Sequence, residues 1–180
     1  MQIHLQSEFP PGSNSHIEQG LQRVFNRLVR TMYRHELIRQ TTNYLRETLQ
    51  SDRVFLYYFY RQWRGQVIFE SLTNNKFSIL GLQGADNCFN DEYASLYLAG
   101  RIRAISDIEL EPIQTVHRDF LHSIQVRAYL VVPILNPGGL CGLLVAHHCQ
   151  QPYSWSLSDI DLMQTAAQLL ATDSSIPGEI

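Results

Sequence analysis

The run Asp86-Asn87-Cys88-Phe89 sets a thiol two residues from a carboxylate. Only the thiolate is a nucleophile, so accessibility and local charge decide what Cys88 can do; Asp86 can accept hydrogen bonds and tends to hold that thiol protonated. In Gly100-Arg101-Ile102-Arg103-Ala104, extended alternation places both guanidinium groups on one side, which suits a ligand bearing carboxylates. A solvated strand edge is the plainer use of the same pair. Farther on, His147-His148-Cys149 closes an apolar run. On a strand His147 and His148 face opposite sides, one toward a pocket or core and the other toward solvent. The three cannot then converge on one ion, and no metal site is expected. An enzyme built on Cys88 and His117 would need a positioned base and an oxyanion site that the sequence does not display, so no catalysis is expected. Phe89, Tyr93, Tyr97 and Tyr129 can line an aromatic pocket or fill ordinary core.

The elements that must position these groups fit one domain. The chain has 180 residues, 44% hydrophobic and 17% charged, enough to bury a real core once. Its 14 basic and 17 acidic residues give a net charge of -3, which offers no broad footprint for nucleic acid or an anionic membrane. No run approaches the roughly 18 apolar residues of a spanning helix, and the N-terminus lacks a signal-like pattern, so a cytoplasmic protein is expected. Cys88, Cys141 and Cys149 are an odd count without a C-x-x-C pair, which argues against a disulfide scaffold or a structural zinc.

Residues 1–15, with Pro10-Pro11-Gly12, read as a flexible leader, 16–172 as the domain and 173–180 as a tail. Leu21, Val24, Phe25, Leu28, Val29 and Met32, then Leu37, Ile38, Thr41, Tyr44, Leu45 and Thr48, predict two amphipathic helices. Val54 to Tyr60 and Gln66 to Glu70 predict a hairpin turning at Trp63-Arg64-Gly65. The stretch 76–124 holds short helical patches without a sustained period, and a long irregular segment of this kind is often a binding region. Ala128 to Leu135 and Cys141 to Cys149 predict two more strands around Asn136-Pro137-Gly138-Gly139. A last helix follows Ser156-Leu157-Ser158-Asp159, where either serine can cap. The class is α+β: an antiparallel sheet with its flanking helices on one face.

Asp86-Asn87-Cys88-Phe89, followed by Tyr93, Tyr97, Gly100-Arg101-Ile102-Arg103-Ala104, Asp107-Ile108 and Val126 to Ile134, resembles the bilin-binding GAF domains of the cyanobacteriochrome family. The likeness is to the D-x-C-F subfamily, which carries a second cysteine, and covers nearly the whole chain. It implies a GAF-type antiparallel sheet with N- and C-terminal helices and a linear tetrapyrrole cofactor, phycocyanobilin or a related bilin. By the same resemblance Cys88 adds reversibly to the central methine bridge, Asp86 accepts from pyrrole nitrogens, and Arg101 and Arg103 hold propionates. His117 stands beside the ring nitrogens, although a helix-surface histidine fits it as well, and His147 reaches the last pyrrole ring. Phe89, Tyr93 and Tyr129 would line the pocket.

Against that pattern, Val116 stands where the resemblance places the anchoring cysteine, and valine cannot form the thioether. Leu98 replaces an arginine of the family, Cys141 a tryptophan and Tyr153 an arginine, while Trp155 remains. These changes are expected to cluster around one ligand. Two functions follow: a photosensor or chromophore-binding regulator that holds its bilin non-covalently or through Cys88 only, or a chromophore-free GAF module acting through dimerisation or protein contact. In either case a homodimer through the terminal helices is expected, with Val24, Leu28, Leu162 and Leu169 as seam residues unless they pack on the sheet. No effector segment follows the final helix, so a separate signalling or effector protein is the expected partner.

Overall fold

The computed structural model describes residues 13–84 and 91–172. No glycine or proline lies between Met32 and Leu37, so nothing interrupts helical hydrogen bonding there, and the two expected helices form one, α1 (Ser13–Thr48). It begins at Ser13, inside the stretch expected as leader. Its two apolar stripes do not align. At 3.6 residues per turn, Leu28 and Leu45 lie about 100° apart around the axis. Ile38, Thr41 and Leu45 of the second stripe are buried, whereas Leu21, Val24, Phe25, Leu28 and Met32 of the first are exposed.

The β-branched and aromatic run after α1 forms β1 (Arg53–Arg61), which pairs antiparallel with β2 (Arg64–Leu72). The turn is Gln62-Trp63, with Trp63 at φ 55°, one residue earlier than expected. Gly65 serves a different purpose. It lies at the register shift between Phe59 and Arg61, where a Cβ would collide with the Tyr58 carbonyl and the Tyr57 ring. After a 3-10 turn at Asn75–Phe77 come α2 (Asp91–Leu98), β3 (Arg103–Ile105), α3 (Thr115–Ser123), β4 (Ala128–Asn136), β5 (Gly139–His148) and α4 (Leu157–Thr172). The sheet order is β2-β1-β5-β4-β3, antiparallel throughout, with β5 at the centre.

Alternation along the central strands divides two cores. Val54 and Leu56 of β1, Leu130 and Val132 of β4, and Leu144 and Ala146 of β5 pack with Leu45 of α1, Leu49 just beyond it, and Met163 and Leu170 of α4. The terminal helices therefore share one face, as the fold class requires. On the opposite face Phe55, Val67, Val131 and Val145 pack with Tyr97 of α2 and Leu121 of α3. The irregular middle of the chain is thus a second cover, absent from the simpler expectation of helices on one face only. Two side-chain devices fix element ends, one in this cover and one at the start of α4. Asp107 accepts from Arg127 through both carboxylate oxygens, at 2.7 and 2.8 Å, tying the approach to α3 to the entry of β4. Ser156 and Asp159 exchange backbone-to-side-chain bonds of 3.1 and 2.8 Å, so Ser156 is the serine that caps α4. No described helix is long and apolar enough to cross a membrane.

Candidate functional site

Where the second cover meets the sheet it leaves a half-open, mostly apolar cavity of about 180 Å³. Its floor takes residues from all five strands: Val67 of β2, Phe55 and Tyr57 of β1, Leu143, Val145 and His147 of β5, Tyr129 and Val131 of β4, and Arg103 of β3. Four steps between neighbouring strands give this floor a length of about 19 Å. Tyr93 and Tyr97 from α2, His117, Phe120 and Leu121 from α3, and the stretch Ile79 to Gly84 form the cover. The enclosed volume is below the roughly 300 Å³ at which pockets for drug-sized ligands begin, so a long ligand would extend beyond the enclosed part.

Of the residues singled out from sequence, the structure brings together Tyr93, Arg103, His117, Tyr129 and His147. Asp86, Cys88 and Phe89 lie outside the described residues. Gly84 and Tyr93, which flank that segment in sequence, both line the cavity. Arg101 is not among the lining residues, so it does not join Arg103 there, although its charge acts on the lining Tyr97. The cause is local: β3 begins only at Arg103, so strand alternation does not extend back to Arg101. Phe55, Tyr57, Val67 and Phe120 line the cavity without having been singled out. Alternation within Val54-Phe55-Leu56-Tyr57 was a usable signal for the first two, because it puts Phe55 and Tyr57 on one side of their strand.

Arg103 is the cation of the cavity. Its guanidinium carbon lies 5.9 Å from the centroid of the Tyr129 ring. Burial pushes the Tyr129 hydroxyl up to about 12, an effect that the Arg103 charge partly offsets. Burial likewise raises the Tyr97 hydroxyl, again opposed by Arg103. For His117 burial lowers the pKa, and Arg103 lowers it further, so this ring is neutral at pH 7. Neutral donors therefore surround one positive group, an arrangement suited to an anionic substituent on an otherwise apolar molecule.

His147 borders the cavity from β5. Its ring meets Phe55 edge-on at a centroid distance of 4.9 Å, with Tyr129 at 6.4 Å. Its Nδ1 faces the buried Arg53 guanidinium, 2.7 Å from Nη2. Burial, and then the Arg53 charge, hold this histidine well below the usual range. His148 faces the other way, but it is buried and not solvent-facing as expected. The segment after β5 folds back and stacks Tyr153 on it, with ring centroids 4.0 Å apart, and Trp155 packs alongside at 5.4 Å.

The four departures from the family pattern do not cluster around the cavity. Tyr153 belongs to that aromatic stack on the far face. Cys141 lies at the register shift where β5 opposes Ile134 and Leu135, and its thiol donates to the Ile134 carbonyl at 3.1 Å. Leu98 is exposed near the end of α2, and Val116 is 75% exposed on α3, one residue before the lining His117. Burial pushes both described thiols, Cys141 and Cys149, up to about 11, so neither is a nucleophile at neutral pH.

A model of the GAF domain family matches residues 34–173. An uncharacterized protein of Picosynechococcus sp. strain PCC 7002 is 49% identical over 156 residues, which are 87% of this chain and 96% of that protein. The circadian input-output histidine kinase CikA of Synechocystis sp. strain PCC 6803 is 35% identical over 115 residues, 62% of this chain and only 15% of the kinase. Among solved structures, the blue-light absorbing form of the Thermosynechococcus elongatus PixJ GAF domain superposes with a TM-score of 0.72 at 31% identity, covering 81% of this chain and 89% of that one. The phycoerythrobilin-bound GAF domain of a cyanobacterial phytochrome gives 0.71 at 27% identity, covering 88% and 94%.

Proposed function

Because the chain belongs to the GAF domain family, we propose that its cavity binds a linear tetrapyrrole, non-covalently or through Cys88 only, as a cyanobacteriochrome-like photosensor or chromophore-binding regulator. The five-strand floor carries this reading: it is long and apolar, with a cation at the β3 end and a neutral histidine on β5. A bilin is elongated and conjugated, has propionates that pair with a guanidinium, and has lactam oxygens that accept hydrogen bonds. The light-absorbing and bilin-bound forms of two structural neighbours support the same ligand class. Val116 would supply no thioether, and the thiols of Cys141 and Cys149 are raised by burial, which leaves Cys88, outside the described residues, as the candidate covalent handle. The role is binding and not catalysis.

Mixing the protein with phycocyanobilin tests the reading. A red-shifted or sharpened spectrum that changes on illumination is the expected result, and persistence of colour after acid denaturation and gel electrophoresis reports covalent attachment. An unchanged free-pigment spectrum overturns it in favour of a chromophore-free module.

The exposed stripe Leu21, Val24, Phe25, Leu28 and Met32 supports a second proposal, that α1 pairs with α1 of another copy. Arg23, Arg27, Arg30 and Arg34 recur on the side of the helix away from that stripe, so such a seam brings no arginine against another. Leu162 instead packs within the domain core. Sedimentation is expected to show a dimer that Leu28→Glu converts to monomer; a wild-type monomer at every concentration would remove the pairing. CikA places a related segment within a kinase, which supports signalling through an effector protein.

A further inference from the structure

We propose that Arg53 is a positioning residue for the cavity: it fixes His147 as the neutral tautomer with its proton on Nε2, so that this part of the site offers a donor and selects ligands presenting an acceptor such as a carbonyl oxygen. The selection half rests on the ligand-binding reading above; the tautomer half does not. A guanidinium has donors and no acceptor. Two of its nitrogens approach the same ring atom: Nε lies 3.2 Å and Nη2 2.7 Å from Nδ1 of His147. Nδ1 must therefore accept, and an atom that accepts there carries no proton. In a neutral imidazole the proton is then on Nε2.

The alternatives are costly at this position. A doubly protonated ring would set an N–H against a buried cation, and a ring turned over would set a carbon against donors that have nowhere else to point. Arg53 itself cannot swing aside. It is fully buried, its Nη1 donates to the Phe77 carbonyl, and its Nη2 also donates to the Ile124 carbonyl at 3.0 Å. These two acceptors belong to the 3-10 turn and to the end of α3, so the guanidinium is clamped between the sheet and its cover. Antiparallel pairing sets Arg53 directly opposite His147, which fixes the reach. With Nδ1 turned to Arg53 and the ring lining the cavity, the Nε2 side is the one a ligand meets. A histidine free to choose its tautomer would serve donors and acceptors alike; this one serves acceptors.

Nitrogen NMR of the ligand-free protein carrying 15N-histidine decides the tautomer at pH 7, with His147→Gln supplying the assignment. The expected signature is a neutral ring protonated at Nε2 in the wild type. Arg53→Met is expected to abolish that preference and Arg53→Lys, which keeps a donor, to retain it. An Nδ1-protonated or doubly protonated His147 in the wild type overturns the proposal, as does an unchanged Nε2 preference in Arg53→Met. Should Arg53→Met fail to fold, the wild-type and Arg53→Lys spectra still decide. Phycocyanobilin titration then checks selection: a loss of affinity of about tenfold in Arg53→Met is expected, roughly the effect of one hydrogen bond. Unchanged affinity in a variant whose tautomer preference is lost overturns the selection half. Failure of the wild type to take up pigment bears on the binding reading alone, because the tautomer is measured without pigment.

Discussion

Arg103→Glu is expected to weaken phycocyanobilin binding by at least about 100-fold, since removing one partner of a buried charge pair costs 2–5 kcal/mol and the new carboxylate also repels the ligand's own. The effect is this large because Arg103 is the one cation among the described cavity-lining residues, Arg53 lying outside the lining and fully engaged behind His147. Under the proposed binding, reversal would leave propionates with Tyr97, Tyr129 and the neutral His117, none of which supplies a positive charge at pH 7. Arg101→Glu is the informative comparison, for it makes the same change in net charge two residues away and outside the lining. It is expected to shift the dissociation constant by well under the loss at Arg103, because Arg101 is outside the lining even though its charge reaches the lining Tyr97. Spectrophotometric titration of both variants, with circular dichroism to confirm folding, separates the cases. Equal losses in the two would show that general electrostatics, and not a seat at Arg103, attracts the pigment.

Leu144→Ala is expected to destabilise the fold by about 3 kcal/mol, which for a domain of this size lowers the melting temperature by roughly 6–12 °C. Leu144 is fully buried on the central strand, opposite Leu56 of β1 and Val132 of β4, and belongs to the core beneath α1 and α4. Neighbours hydrogen-bonded on both sides of β5 limit how far the backbone can collapse into the space left. The void should therefore persist, and its cost with it. Cys141, on the same strand, is only half-buried, so Cys141→Ala is expected to cost less than about 1 kcal/mol. Thermal unfolding of the two variants checks the ranking. A loss below about 1 kcal/mol for Leu144→Ala would show that the terminal helices repack freely over the sheet.

The class of fold was legible because period-two and period-3.6 patterns are local. Val54 to Tyr60 and Ala128 to Leu135 announce strands, and Ile160 to Leu170 announces a helix, without reference to anything distant. Strand order was not legible. That β5 inserts between β1 and β4 depends on contacts across some 90 residues of chain, such as Arg53 opposite His147. The site divided along the same line. Tyr93, Arg103, His117, Tyr129 and His147 were named from residue type and resemblance, and they meet in one cavity. Arg53 gave no signal, since an arginine ahead of an apolar run reads as a solvated strand entry. Only the tertiary structure supplies the three acceptors that let it be buried. Arg101 shows the converse: alternation holds only within a strand, and β3 starts at Arg103, so residues 101 and 102 do not share its register.

Helix α1 has a mechanical consequence. One stretch of it, from Ile38 onward, is bedded on the sheet that floors the cavity, while residues 18–33 stand clear as a continuation of the same rod, about 24 Å long at 1.5 Å per residue. With no glycine or proline at the junction, the overhang cannot bend independently of its seat. A tilt of about 5° at the seat therefore carries the far end of that stretch through about 2 Å. The bedded portion is a fulcrum and the exposed portion a long arm: displacements of the floor too slight to alter the core's packing arrive at the tip several times larger.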